Sequence, residues 1–120
     1  MADGREFEVE FKVMSRFSLQ DLVDIIDARA ASSGEASYTR KLLDKGPEHC
    51  AKKFGEEAVE TVIAGISDDR DHLIAESADL LFHWLVLLKS RGVRLEEVEA
   101  ALAQRTGQSG LEEKAARKRD

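Results

Sequence analysis

The sequence predicts an all-α fold, an antiparallel helix bundle that a second copy of the chain completes. From Ser18 onward, apolar residues recur at intervals of three and four, which is typical of amphipathic helices. Aromatic residues make up only 6% of the 120 residues, whereas Ala, Leu, Glu and Lys are common. Short links separate the helical segments, as in a bundle. A chain of this length forms one domain with a small core, so we expect its apolar helices to be covered by a twin.

The first residues of the chain differ from the rest. Between positions 7 and 13, apolar residues alternate with charged ones, a period that predicts a short half-buried strand. No second strand is predicted to pair with it, so we interpret residues 1–13 as an extension or leader without an assigned function. The helical domain then covers 14–106, and residues 107–120 form a charged tail.

The first two helices are predicted from their ends. Ser18 followed by Asp21 resembles a capping box, and the apolar stripe after it ends near 32–34. A second, short helix covers 37–45. Gly46 stops this helix because glycine is a poor helix former.

Of the next three helices, the fourth is the most apolar. A third helix covers 47–66, with the only proline in its first turn. Ser67 and the two aspartates after it begin a fourth helix, which ends near Arg91 with Gly92 as its C-cap glycine. A fifth helix covers 95–104. Because the link near Ser67 is tight, we expect the third and fourth helices to form an antiparallel hairpin.

Composition excludes several classes of function. The formal net charge of −6 disfavours generic nucleic-acid binding, because phosphate contacts need a positive surface. The longest uninterrupted apolar run, residues 84–88, is too short for a membrane span. Cys50 is the only cysteine, so no disulfide can form within the chain. We therefore expect a cytoplasmic protein without nucleic-acid or membrane partners.

Two pairs of acidic residues face each other across the predicted hairpin. Glu57 and Glu60 are three residues apart and share one side of the third helix. Glu76 and Asp79 repeat that spacing on the fourth helix. Counted from the link near Ser67, the two pairs lie level along the helix axes, so four carboxylates are expected in one small volume.

Such a cluster needs a compensating charge. Two like charges about 5 Å apart repel by about 3 kcal/mol at an effective dielectric constant near 20. A hard divalent cation would offset this repulsion. Mg²⁺ suits carboxylates, waters and substrate phosphates, and Mn²⁺ can use the same ligands. The alternative interpretation is a solvated acidic face, which is the commoner origin of any single glutamate on a helix.

Other candidate residues flank the acidic pairs. Lys52 and Lys53 lie one turn before Glu56. They form either ion pairs with the glutamates that follow or a cationic rim that binds phosphate. His83 lies one turn after Asp79 and is either a satisfied histidine of the bundle or a substrate contact.

These residues resemble a known family. Glu57-x-x-Glu60, then fifteen residues, then Glu76-x-x-Asp79 is similar to the metal motif of the MazG-type all-α nucleoside-triphosphate pyrophosphatases. More closely, the chain resembles the phosphoribosyl-ATP pyrophosphatases of histidine biosynthesis. The resemblance extends over about residues 17–105, and its most specific segments are Ser37-Tyr38-Thr39, Lys52-Lys53-Phe54-Gly55-Glu56-Glu57-Ala58-Val59-Glu60 and Glu76-Ser77-Ala78-Asp79-Leu80-Leu81-Phe82-His83.

The resemblance implies a metal-assisted hydrolysis of phosphoribosyl-ATP to phosphoribosyl-AMP and pyrophosphate by a homodimer. The metal ligands that it implies are Glu57, Glu60, Glu76 and Asp79. It also implies that Glu56 orients or activates water and that Lys52 and Lys53 lie near the phosphates; His83 is a third substrate-binding candidate. Two other functions stay open, a pyrophosphatase for free or damaged nucleoside triphosphates and a helical dimerisation module without chemistry.

Overall fold

The computed structural model describes residues 16–32, 37–107 and 117. The all-α class is confirmed for these residues, whose regular elements are α1 (Leu19–Ala31), α2 (Tyr38–Asp44), α3 (Pro47–Ile66), α4 (Arg70–Ser90) and α5 (Leu95–Thr106). The strand predicted at 7–13 lies outside the described residues. The domain boundaries at 14–106 therefore stay a prediction.

Side-chain caps determine where three of the helices begin. Ser18 and Asp21 form the expected capping box: Asp21 N–H donates to Ser18 Oγ at 3.1 Å, and Ser18 N–H donates to Asp21 Oδ2 at 2.9 Å. Ser37 caps α2 through its hydroxyl. Among the polar residues at the start of α4, Asp69 is the cap, and its Oδ1 accepts from His72 N–H at 3.1 Å.

Two glycines with positive φ mark helix ends. Gly46 has φ +92° immediately before α3, and Gly92 has φ +69° immediately after α4. Other residues would be strained in this conformation. After α4 the chain forms a Schellman motif, in which Val93 N–H donates to Leu88 O at 2.9 Å and Gly92 N–H to Lys89 O at 3.1 Å.

The core lies at one end of the α3–α4 hairpin. These two helices are the most extensively packed pair, and α1 and α2 cover them at the end opposite the link, which we name the core end. Cys50 is buried there; its thiol donates to Leu42 O at 3.3 Å, and burial raises the pKa of that thiol. The buried apolar residues of this region are Ile26, Leu42, Cys50, Leu85, Val86 and Leu95.

The other end of the hairpin, which we name the link end, is packed only by its own two helices among the described residues. Ala64 is buried between α3 and α4. Large apolar side chains near it are exposed, namely Val62, Ile63 and Ile66 on α3 and Leu73 and Ile74 on α4. None of the helices in the described ranges combines the length and apolar character needed to cross a bilayer.

Candidate functional site

Three carboxylates meet in the middle of the hairpin. Glu57 projects from α3, and Glu76 and Asp79 project from α4. One carboxylate oxygen from each residue lies within 4.8 Å of the other two. Glu57 and Glu76 are half-buried and Asp79 is exposed. The antiparallel packing thus brings together three of the four acids that the spacing placed opposite each other.

Glu60 lies outside this group. It is exposed and follows Glu57 by three residues on the same helix. Its role as a fourth metal ligand stays a prediction.

The carboxylates of Asp79 and Glu76 lie close to that of Glu57 and repel its negative charge. Burial raises the pKa of the Glu57 carboxyl, and the nearby carboxylates of Asp79 and Glu76 raise it further. All three residues offer only oxygen atoms. A hard divalent cation fits this donor set, because it prefers oxygen ligands and neutralises their repulsion.

A hydroxyl group joins the two helices at the level of the acids. Thr61 Oγ1 lies 2.8 Å from Glu57 O and 3.2 Å from Glu76 O, so its one proton is shared between carbonyls of α3 and α4. On the other side, His72 Nε2 lies 3.3 Å from Glu76 Oε1. Thr61 was not among the sequence candidates; its only signal was an uncharged polar residue one turn after Glu57.

An ion pair lies beside the acidic group on α3. Lys53 Nζ donates to Glu56 Oε2 at 3.0 Å. This hydrogen bond lowers the pKa of the Glu56 carboxyl and raises the pKa of the Lys53 amine. Lys52 is exposed. The surface ion pair expected as one alternative is therefore present for Lys53, and the substrate-binding roles of both lysines stay predictions.

Three rings form a cluster on the same side of the acidic group as Lys53. The rings of Tyr38 and Phe82 are stacked at 19°, with centroids 6.3 Å apart. His83 is buried and meets both rings edge-on, at 6.0 Å from Tyr38 and 5.2 Å from Phe82. Burial lowers the pKa of His83 and Lys53 lowers it further, whereas Asp79 acts in the opposite direction.

A separate cleft of about 270 Å³ lies at the core end, between α1, the last turns of α4 and the start of α5. Its lining includes Asp27, Lys89 and Arg94 but none of the predicted site residues. The acidic group is instead an open site on the hairpin.

Comparison with known proteins identifies the family. Residues 19–106 match the family described as phosphoribosyl-ATP pyrophosphohydrolase. The chain belongs to this family. It is 78% identical over 107 residues to phosphoribosyl-ATP pyrophosphatase 1 of Rhodopseudomonas palustris, covering 89% of this chain and 100% of that protein. The corresponding protein of Bradyrhizobium diazoefficiens is 74% identical over 105 residues, covering 88% and 99%.

A more distant relative matches over a similar length. Phosphoribosyl-ATP pyrophosphatase of Agrobacterium fabrum is 58% identical over 104 residues, or 87% of this chain and 97% of that protein. Membership confirms the family indicated by the sequence motifs and the enzyme class, a hydrolase.

Proposed function

We propose that this chain hydrolyses phosphoribosyl-ATP to phosphoribosyl-AMP and pyrophosphate, as a cytoplasmic enzyme of histidine biosynthesis. Family membership supports the substrate and the reaction. The observation that carries the chemistry is the meeting of Glu57, Glu76 and Asp79 from two helices, with oxygens within 4.8 Å of one another. This convergence favours a metal site over a solvated face of unrelated acids.

The acidic group supports a divalent metal site. Glu57, Glu76 and Asp79 would hold Mg²⁺, with Glu60 as a fourth ligand, and Mn²⁺ could use the same oxygens. When bound, such an ion supplies positive charge to the triphosphate and lowers the pKa of a bound water. Thr61 keeps α3 and α4 in register at this point, because its hydroxyl contacts a carbonyl of each helix.

The flanking residues bind and orient the reactants. Lys53 gives up its hydrogen bond to Glu56 and donates to the phosphates instead. Lys52 adds a second positive charge beside it. Glu56 is ionised at neutral pH, as a glutamate ordinarily is, so it accepts a hydrogen bond from the attacking water and orients it. His83 contacts the substrate as a neutral imidazole, since burial lowers its pKa.

The apolar link end supports a homodimer. Val62, Ile63 and Ile66 expose a contiguous stretch of α3 next to the acidic group. A second copy that packs there would shield both apolar surface and site from water. Gel filtration should give about twice the chain mass of 13.3 kDa, and Val62→Asp should halve the measured mass. A wild-type mass near 13.3 kDa would contradict the dimer.

The activity is tested by pyrophosphate release. The purified protein with Mg²⁺ is given phosphoribosyl-ATP and, separately, a panel of ordinary and damaged nucleoside triphosphates. We expect kcat/KM to be highest for phosphoribosyl-ATP. Faster hydrolysis of the panel would favour the pyrophosphatase for free nucleotides, and absence of any hydrolysis together with absence of metal binding would favour the dimerisation module.

A further inference from the structure

We propose that Tyr38 and Phe82 form a stacking surface for the N1-substituted adenine of phosphoribosyl-ATP and so select this substrate over ATP. The proposal rests on the proposed function and assigns a specificity role to two residues outside the metal and phosphate machinery.

The geometry of the rings is suited to stacking. Tyr38 is 52% exposed, whereas Phe82 is half-buried and His83 is buried. Phe82 supports Tyr38 in a parallel arrangement, and His83 holds both rings edge-on. An aromatic ring that is held in place by two others and still open to solvent offers a base a preorganised surface.

The backbone under Tyr38 is also held in place. Ser37 caps α2 immediately before Tyr38. Arg40, one turn further along, donates to Ala30 O at 3.0 Å and to Ser32 O at 3.1 Å. These bonds tie α2 to the end of α1, and Tyr38 on α2 contacts Phe82 of α4.

The surface lies at the right place relative to the acidic group. Phe82 follows Asp79 by three residues on α4, so the two side chains lie on the same side, about one turn or ~5 Å apart along the axis. Lys53 interacts electrostatically with both Tyr38 and Glu57. A nucleotide whose phosphates lie at Glu57 and Lys53 can therefore place its base over Tyr38.

The substrate's chemistry supplies the selectivity. Substitution at N1 converts adenine into an amidine, whose protonated form is a planar, delocalised cation at neutral pH. The adenine of ATP is neutral under the same conditions. A cation over the face of an aromatic ring is attracted by the ring quadrupole. The cluster is therefore expected to prefer the substituted base.

The experiment compares two small probes, 1-methyl-AMP and AMP, by titration calorimetry at pH 7 with Mg²⁺. Wild type should bind 1-methyl-AMP roughly 10-fold more tightly. Tyr38→Leu, which keeps an apolar side chain but no ring, should reduce the preference to less than about 2-fold, and the matched variant Tyr38→Phe should retain most of it. Equal or undetectable binding of both probes by wild type, or an unchanged preference in Tyr38→Leu, would overturn the proposal.

Hydrolysis assays separate this proposal from the proposed function. Tyr38→Leu should lower the ratio of kcat/KM for phosphoribosyl-ATP to that for ATP roughly 10-fold, mainly through KM. If wild type hydrolyses phosphoribosyl-ATP and Tyr38→Leu keeps the wild-type ratio, the stacking surface is refuted and the function stands. If wild type does not hydrolyse phosphoribosyl-ATP, the function itself fails.

Discussion

Large apolar side chains are buried at one end of the α3–α4 hairpin and exposed at the other. At the core end, α1 and α2 cover the hairpin, and Ile26 is 1% exposed. At the link end, Ile66 is 83% exposed and, within the described residues, only α3 and α4 pack there. The acidic group lies between the two regions. The comparison shows that the packed core and the acidic group occupy different parts of one hairpin, and that apolar content alone does not determine which part is buried.

The largest effect on kcat is expected for Asp79, which lies between the core end and the link end. Asp79→Asn should lower kcat by roughly 10²- to 10³-fold, because it removes a negative oxygen from the metal site while keeping the shape. Steady-state kinetics with phosphoribosyl-ATP measures the loss, and circular dichroism should show unchanged helix content. Asp71→Asn, an acid on the first turn of the same helix, is the control and should stay within about 2-fold of wild type. If Asp79→Asn has the same kcat as wild type, Asp79 does not belong to the active site.

A matched pair of isoleucine variants tests the two ends directly. Ile26→Ala should lower the free energy of unfolding by about 3 kcal/mol, because it leaves a cavity in the core. Ile66→Ala should lower it by less than about 1 kcal/mol at low protein concentration, where the exposed side chain has no partner to lose. Urea titration measures both values. Equal losses would show that the link end is as well packed as the core end.

The hydroxyl that joins α3 to α4 should have a moderate effect. Thr61→Val keeps the shape but loses the contact with Glu76 O, so we expect about 1 kcal/mol less stability and a several-fold lower kcat. Thr106→Val is the matched control, since its hydroxyl donates to Leu102 O within α5 at 2.8 Å. Its kcat should equal that of wild type. Equal kcat values for the two variants would argue against a positioning role for Thr61.

The smallest effect concerns the metal-free protein. The raised pKa of Glu57 means that the folded state holds this proton more tightly than the unfolded chain, so stability falls as pH rises through the folded-state pKa. Glu57→Gln removes this charge, and the Tm in a chelator at pH 7 should rise by roughly 2 °C. Below the ordinary glutamate pKa of 4.5 the difference should vanish, because both proteins are then neutral at this position.

A matched glutamate controls for the loss of a charge alone. Glu99→Gln, on the exposed part of α5, should leave the Tm unchanged. If the Tm of Glu57→Gln in the chelator is lower than that of wild type, the charge of Glu57 does not destabilise the metal-free protein.

Much of the fold could be predicted because its signals are local. The capping box at Ser18, the proline and glycine around the start of α3 and the glycine after α4 each act within a few residues. Helix α3 begins and ends where its pattern indicated, at 47–66. Helix α5 extends two residues beyond the expected 104, to Thr106, and Gly107 is its C-cap.

Only part of the candidate site could be predicted, because some of its contacts do not depend on local sequence signals. Glu57, Glu76 and Asp79 could be paired because the short link after α3 sets the register of the hairpin. The contact of Tyr38 with Phe82 could not, because it depends on how α2 packs on α4, which no local pattern encodes.

The central claim is that acids from α3 and α4 hold a divalent ion together. Titration with Mn²⁺, followed by electron paramagnetic resonance of the free ion, tests it with Glu57→Gln on one helix and Asp79→Asn on the other. We expect each variant to weaken Mn²⁺ binding at least about 10-fold relative to wild type and to the Asp71→Asn control. Wild-type affinity in Glu57→Gln would contradict the claim, because α3 would then contribute nothing to the ion.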